Sequence, residues 1–183
     1  MKLYDHLDDK IIAFIEKQKV FFVASSPLSA DGHVNLSPKG YDDSFRVLDD
    51  MTVAWLDLGG SGAETIAHLK ENGRITIMFC AFEGPADIYR LFGKGEAVQF
   101  DDPRFPELLA LFPAYEKARA IVVVKLDRIQ GSCGWSVPFM DYQGPRDQLK
   151  RHTDNPKMSQ ADWEEKWRTR NALSIDGLPA VER

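Results

Sequence analysis

The sequence predicts a mainly β, α+β fold: an antiparallel, barrel-like sheet with a few flanking helices. Three observations carry that prediction. Short runs of β-branched and aromatic residues recur between turn-forming Gly, Pro, Asn and Asp residues. A helix between strands, at residues 61–70, does not recur as a repeating βαβ pattern, so a parallel sheet is disfavoured. The long strand at 87–100 carries Gly93 and Gly95, and glycines inside a strand mark bends where a sheet curls.

Leu3 to Gln18 reads as an amphipathic helix with Leu7, Ile11, Phe14 and Ile15 in one stripe. Val20 to Ala24 is a short buried strand. Asp31-Gly32 supplies turn chemistry, so His33 to Ser37 pairs back as the second arm of a hairpin, closed by Pro38-Lys39-Gly40. Ser44 to Leu48 and Thr52 to Leu58 form another pair around Asp49-Asp50. Within the second of these, Val53, Trp55 and Asp57 alternate with Ala54, Leu56 and Leu58.

Ser61 and Glu64 stand at capping-box spacing, opening a helix with Ala63, Ile66, Ala67 and Lys70 on one face. Asn72-Gly73 stops it. Arg74 to Cys80 is a strand, broken at Glu83-Gly84-Pro85 before Asp87 to Phe100 returns. Asp102-Pro103 starts a helix carrying Phe105, Leu108, Leu109 and Leu111. Ala120 to Leu126 is the most strongly β-branched run. From Asp141 to Arg170 charges dominate, although Ser159 and Asp162 open a helix with Trp163 and Trp167 on one face. Asn171 to Val181 is apolar and turn-rich, an ordered arm of the kind that often wraps a partner subunit.

Composition excludes several classes. The 183 residues fit one domain with a sizeable core. A hydrophobic content of 44% and a charged content of 28% are ordinary for a soluble globular chain. A net charge of −5 argues against nucleic acid as a main partner. No apolar run reaches the ~20 residues of a membrane span, and the N-terminus shows no signal peptide, so a cytoplasmic location is expected. Cys80 and Cys133 form no ligand spacing, and His6, His33, His68 and His152 are scattered; no metal site is expected.

The stretch from Val53 to Leu69 runs strand, glycine turn, helix, and such a turn can seat an anion on free N–H groups. A dinucleotide fingerprint needs Gly or Ala where Thr65 stands, and a P-loop needs a Lys that is missing. Gly59-Gly60-Ser61-Gly62-Ala63 is a near miss to the nucleophile elbow of a serine hydrolase, but only His68 and His152 follow it. A Ser that merely caps a helix is the commonest alternative.

Four segments together resemble the pyridoxamine 5'-phosphate oxidase-like, FMN-binding split β-barrel family. They are Val34 to Gly40, Trp55 to Thr65 with its helix and Asn72 to Ile75, Arg90 to Gly95, and Ser132 to Pro138. The ending Ser174 to Pro179 is similar to that of one subgroup. The resemblance implies a roughly six- to eight-stranded antiparallel split β-barrel with flanking helices and a C-terminal arm. It implies an FMN-binding domain at 1–140, with a charged extension at 141–183 packing on the barrel or on a partner subunit. It further implies a homodimer with FMN in two equivalent clefts at the subunit interface.

Residue by residue, the resemblance places Ser37 and Lys39 at the flavin phosphate, where a compact cation suits a doubly charged anion. Asp57, Ser61 and Thr65 fall in the second phosphate- and ring-contacting segment, with backbone groups of Trp55 and Leu56 along the ring. Arg90 approaches the cofactor from its strand, and Trp135 stacks on flavin or substrate. The vitamin-making oxidases carry an Arg-Lys pair after the serine of this turn, where Gly62 and Ala63 stand here. Their C-terminal Trp and Arg-x-His element also has no clear match. The expectation is therefore an FMN-dependent oxidoreductase of another substrate, passing hydride between a nicotinamide or small organic molecule and the flavin. A flavin-binding protein without turnover, the same barrel holding haem or a deazaflavin, and a Ser61 hydrolase are the rival readings. No catalytic residue is assigned.

Overall fold

In the computed structural model, residues 1–181 are described; the last two positions of the expected 141–183 extension, 182–183, lie outside them. Eight strands form one curled antiparallel sheet: β1 (Lys2–Tyr4), β2 (Val20–Ser25), β3 (Asn35–Gly40), β4 (Phe45–Asp49), β5 (Thr52–Asp57), β6 (Arg74–Cys80), β7 (Asp87–Gln99) and β8 (Ala120–Cys133). Their order is β3-β2-β6-β7-β8-β5-β4. β8 carries β5 along its first half and β1 along its second. The helices are α1 (Asp9–Lys17), α2 (Glu64–Asn72), α3 (Phe105–Leu109), α4 (Gln148–Thr153) and α5 (Gln160–Arg170). The mainly β, split-barrel expectation is met.

The curl has a local cause at Gly93. The β7–β8 register shifts between Phe92 and Gly93, and a Cβ on Gly93 would stand 2.1 Å from the Lys125 carbonyl oxygen. Only glycine allows that approach.

β5 is buried on both faces, as its alternation predicts. Val53 and Trp55 face the barrel interior with Ile11, Ile15, Ile77, Leu91 and Ile129. Ala54, Leu56 and Leu58 face a second core with Phe105, Phe112 and Ile121. A third core joins α2 to α5 and the arm: Ala63, Ile66 and Ala67 pack against Trp163, Trp167, Ala180 and Val181. The arm of this chain folds back on its own α2.

Three sequence expectations are corrected. The first helix starts at Asp9 rather than Leu3, because Lys2–Tyr4 pairs with the far end of β8 and the Asp8 carboxylate caps the Ile11 N–H at 2.8 Å. The Ser61–Glu64 capping box does not form: Ala63 precedes the helix without a side-chain cap, and Glu64 accepts the Ile175 N–H of the arm instead, at 3.3 Å. The helix expected from Asp102 shortens to Phe105–Leu109, since Asp102 is used in a turn, accepting the Arg104 N–H at 2.8 Å. Gly73 does stop α2, with φ of 71° and its N–H shared between the His68 and Leu69 carbonyls.

Candidate functional site: a polar cradle between β3 and the glycine loop

Strand register builds the site from its floor. Asp57 ends β5 opposite Ala120, which places Arg119 beside it; the Arg119 N–H donates to the Asp57 carbonyl at 2.7 Å. The Arg119 guanidinium then donates to both Asp57 carboxylate oxygens, at 3.1 and 2.8 Å. Its other arm reaches the Gly62 carbonyl at 2.8 Å and Asn171 Oδ1 at 2.7 Å. Asp57 also accepts the Gly59 N–H at 3.0 Å. This buried pair thus pins both ends of the glycine loop and fastens the start of the arm.

Burial raises the Asp57 carboxyl's affinity for a proton, but the Arg119 and Lys39 charges outweigh it and hold the group below the usual carboxylate range. Gly59 completes the loop. Its φ of 94° lies in the left-handed region, and a Cβ there would stand 2.5 Å from the Trp167 indole.

Alternation along β3 sets Asn35, Ser37 and Lys39 on one face, while Leu36 and Pro38 face outward. That face, the glycine loop and the start of α2 enclose a cavity of about 340 Å³, lined by Asn35, Ser37, Lys39, Ser61, Thr65 and Arg119 among others. The charged lining residues are Lys39 and Arg119 against Glu64, with Asp57 lying behind Arg119 outside the lining. Their engagement differs. Arg119 is neutralised by Asp57, and Glu64 is held by the arm. Among the described residues Lys39 makes no hydrogen bond or ion pair, and Ser37 and Ser61 give their hydroxyls to nothing. Thr65 Oγ1 accepts from Asn35 Nδ2 at 3.0 Å. An ammonium without a hydrogen bond or ion pair, sharing a cavity with hydroxyls and the first turn of a helix, is chemistry for a phosphate.

Outside the cradle the arm is clasped once more. Asp176 accepts the His33 N–H at 2.8 Å and meets His33 Nδ1 at 2.7 Å. This partnership with His33 holds the Asp176 carboxyl below its ordinary range.

Of the residues singled out in the sequence, Ser37, Lys39, Ser61 and Thr65 come together here. Asp57 does not line the cavity and is turned to Arg119. Trp55 and Leu56 are buried in two cores, on a strand paired along both edges, and do not line the cavity. Arg90 lies on the opposite sheet face from the interior Leu91 and donates to Ser132 Oγ at 3.0 Å. Trp135 follows the end of β8 and is 88% exposed. The structure does not bring Arg90 or Trp135 to the cradle. Asn35 and Arg119 were missed; the signal for Arg119 is a charge immediately before the most β-branched run.

Ser61 is exposed, and no His ring is hydrogen-bonded to it among the described residues. Among the described residues no three His, Cys, Asp or Glu side chains are grouped to hold a metal ion. No helix of the described residues is long and apolar enough to cross a membrane.

The chain is similar to known proteins over most of its length. Residues 7–133 match the pyridoxamine 5'-phosphate oxidase family. A pyridoxamine 5'-phosphate oxidase family protein of Aspergillus flavus, ustO, is 35% identical, the match covering 97% of this chain and 77% of that one. HupZ of Group A Streptococcus shares the fold, with a TM-score of 0.56 at 24% identity over 69% of this chain and 99% of its own. A putative 5-nitroimidazole antibiotic resistance protein of Bacteroides thetaiotaomicron superposes with a TM-score of 0.51 at 18% identity, over 71% of this chain and 85% of its own. The family match and the ustO identity establish kinship, and the fold agrees with it: the chain belongs to the pyridoxamine 5'-phosphate oxidase family.

Proposed function

We propose that the protein binds FMN, seats its phosphate in the cradle, and works as an oxidoreductase. The observation that carries the reading is Lys39, a cation with no hydrogen bond or ion pair among the described residues, lining one cavity with hydroxyls and the start of α2. Family membership supports a flavin. Lys39 and the Ser37, Ser61 and Thr65 hydroxyls would hold the phosphate. The bound flavin supplies a ring that exchanges hydride with a nicotinamide or small organic substrate. Arg119 and Asp57 hold the loop in place and do not touch the phosphate.

The reading includes a cytoplasmic homodimer with two cofactor clefts between subunits. Supporting it, β3 is an edge strand of the sheet, and Val34 and Leu36 beside the cradle are 74% and 66% exposed. The test is a visible absorption spectrum of the purified protein, before and after FMN and then dithionite. A bound flavin spectrum that dithionite bleaches is expected. No bound flavin in excess FMN would contradict the reading.

A further inference from the structure

Behind the cradle a polar chain leads from it into the core. His68 lies three residues after Thr65 on α2 and is fully buried. Its Nδ1 meets Ser25 Oγ at 3.0 Å, and its Nε2 has no partner among the described residues. Asn35 Nδ2 donates to Thr65 Oγ1 at 3.0 Å and to Ser25 Oγ at 3.4 Å. Ser25 is 5% exposed and Thr65 8%, so solvent is poorly placed to replace a lost partner.

The four side chains are joined one to the next by hydrogen bonds. Burial pushes the His68 imidazole below its ordinary value, against the pull of the Asp176, Glu64 and Glu71 carboxylates, so the ring is neutral. A neutral ring has one acceptor nitrogen. The Ser25 hydroxyl accepts from Asn35 Nδ2 and has both a proton and a second lone pair for His68 Nδ1, so the ring tautomer sets the direction of that bond. Asn35 also occupies a lone pair of Thr65 Oγ1, so the Thr65 proton is turned elsewhere, and no protein acceptor takes it among the described residues. The cradle is the polar space that Thr65 lines.

We propose that these four residues are a positioning relay, in which His68, through Ser25 and Asn35, fixes the Thr65 hydroxyl as a hydrogen-bond donor to the flavin phosphate. The relay rests on the reading of the cradle as the phosphate site. His68 is a positioning residue and touches no ligand. The unpaired Nε2 is the cost of placing a histidine in an apolar wall, and a Leu there would pack without it.

The test compares FMN with riboflavin, which lacks the phosphate, by fluorescence titration. Wild type, His68→Asn, His68→Leu and Ser25→Ala are titrated with both. The wild type favours FMN. His68→Leu and Ser25→Ala lower that preference about 5- to 10-fold, the size of one lost hydrogen bond, while riboflavin affinity stays within about twofold. His68→Asn keeps a polar atom near Nδ1 and retains most of the preference. Equal weakening of FMN and riboflavin, or an unchanged preference in His68→Leu, would overturn the relay while leaving the cradle intact. A wild type that binds both equally, or neither, would remove the cradle reading and the relay with it. If His68→Leu fails to fold, Ser25→Ala, which deletes one hydroxyl, decides the matter.

Discussion

Two cavities of this protein make an instructive contrast. The larger, about 620 Å³, opens between α1 and β4, with Phe21, Phe45 and Phe79 in its lining. The cradle has about 340 Å³. The larger cavity's cations are already engaged: Lys19 pairs with Asp42 at 2.8 Å, and Arg46 donates to the Phe45 and Leu111 carbonyls. In the cradle Lys39 is left over. Unused hydrogen-bonding capacity, rather than volume, therefore distinguishes the cradle from the larger cavity.

The sharpest way to break the contrast is to remove its foundation. Arg119→Ala leaves Asp57 buried without its cation and frees the Gly62 end of the glycine loop and the arm; a loss of about 3–5 kcal/mol in unfolding free energy is expected. Urea denaturation measures it, and a loss below about 1 kcal/mol would show that the pair does not organise the cradle. Next in size, Lys39→Ala weakens FMN binding by roughly 1.5–3 kcal/mol, the range of a charge-assisted contact. Unchanged affinity by titration would remove Lys39 from the site.

A smaller effect concerns pH. The Asp57 carboxyl titrates below its ordinary value near 3.8, so its contribution is complete above that value and is lost as pH falls through the lowered folded value. Urea midpoints of the wild type should fall in that acid window, and Asp57→Asn should show a shallower decline. Equal slopes would assign the acid loss to other carboxylates. The smallest effect is the control: Lys19→Ala, in the larger cavity, should leave FMN affinity unchanged. A loss there as great as that of Lys39→Ala would erase the distinction between the two cavities.

How much of this was legible in the sequence depends on the range of the cause. Alternation in Val53 to Leu58 gave both buried faces of β5, and Gly73 and Gly93 marked a helix stop and a sheet bend, because each effect is local. Lys39, Ser37, Ser61 and Thr65 were nameable through the family resemblance. What stayed hidden depends on pairing between distant segments. Arg119 reaches Asp57 only through the β5–β8 register, and Glu64 left its expected cap because the arm offers the Ile175 N–H. β1 is called to the end of β8 in the same way, at a position where the pattern reads as helix.

The most direct test of the account is a crystal structure of the protein grown with FMN. The account predicts the flavin phosphate within hydrogen-bonding distance of Lys39 Nζ and Thr65 Oγ1, against the loop that Arg119 holds. Flavin seated instead among Phe21, Phe45 and Phe79, with the cradle free of phosphate, would contradict it.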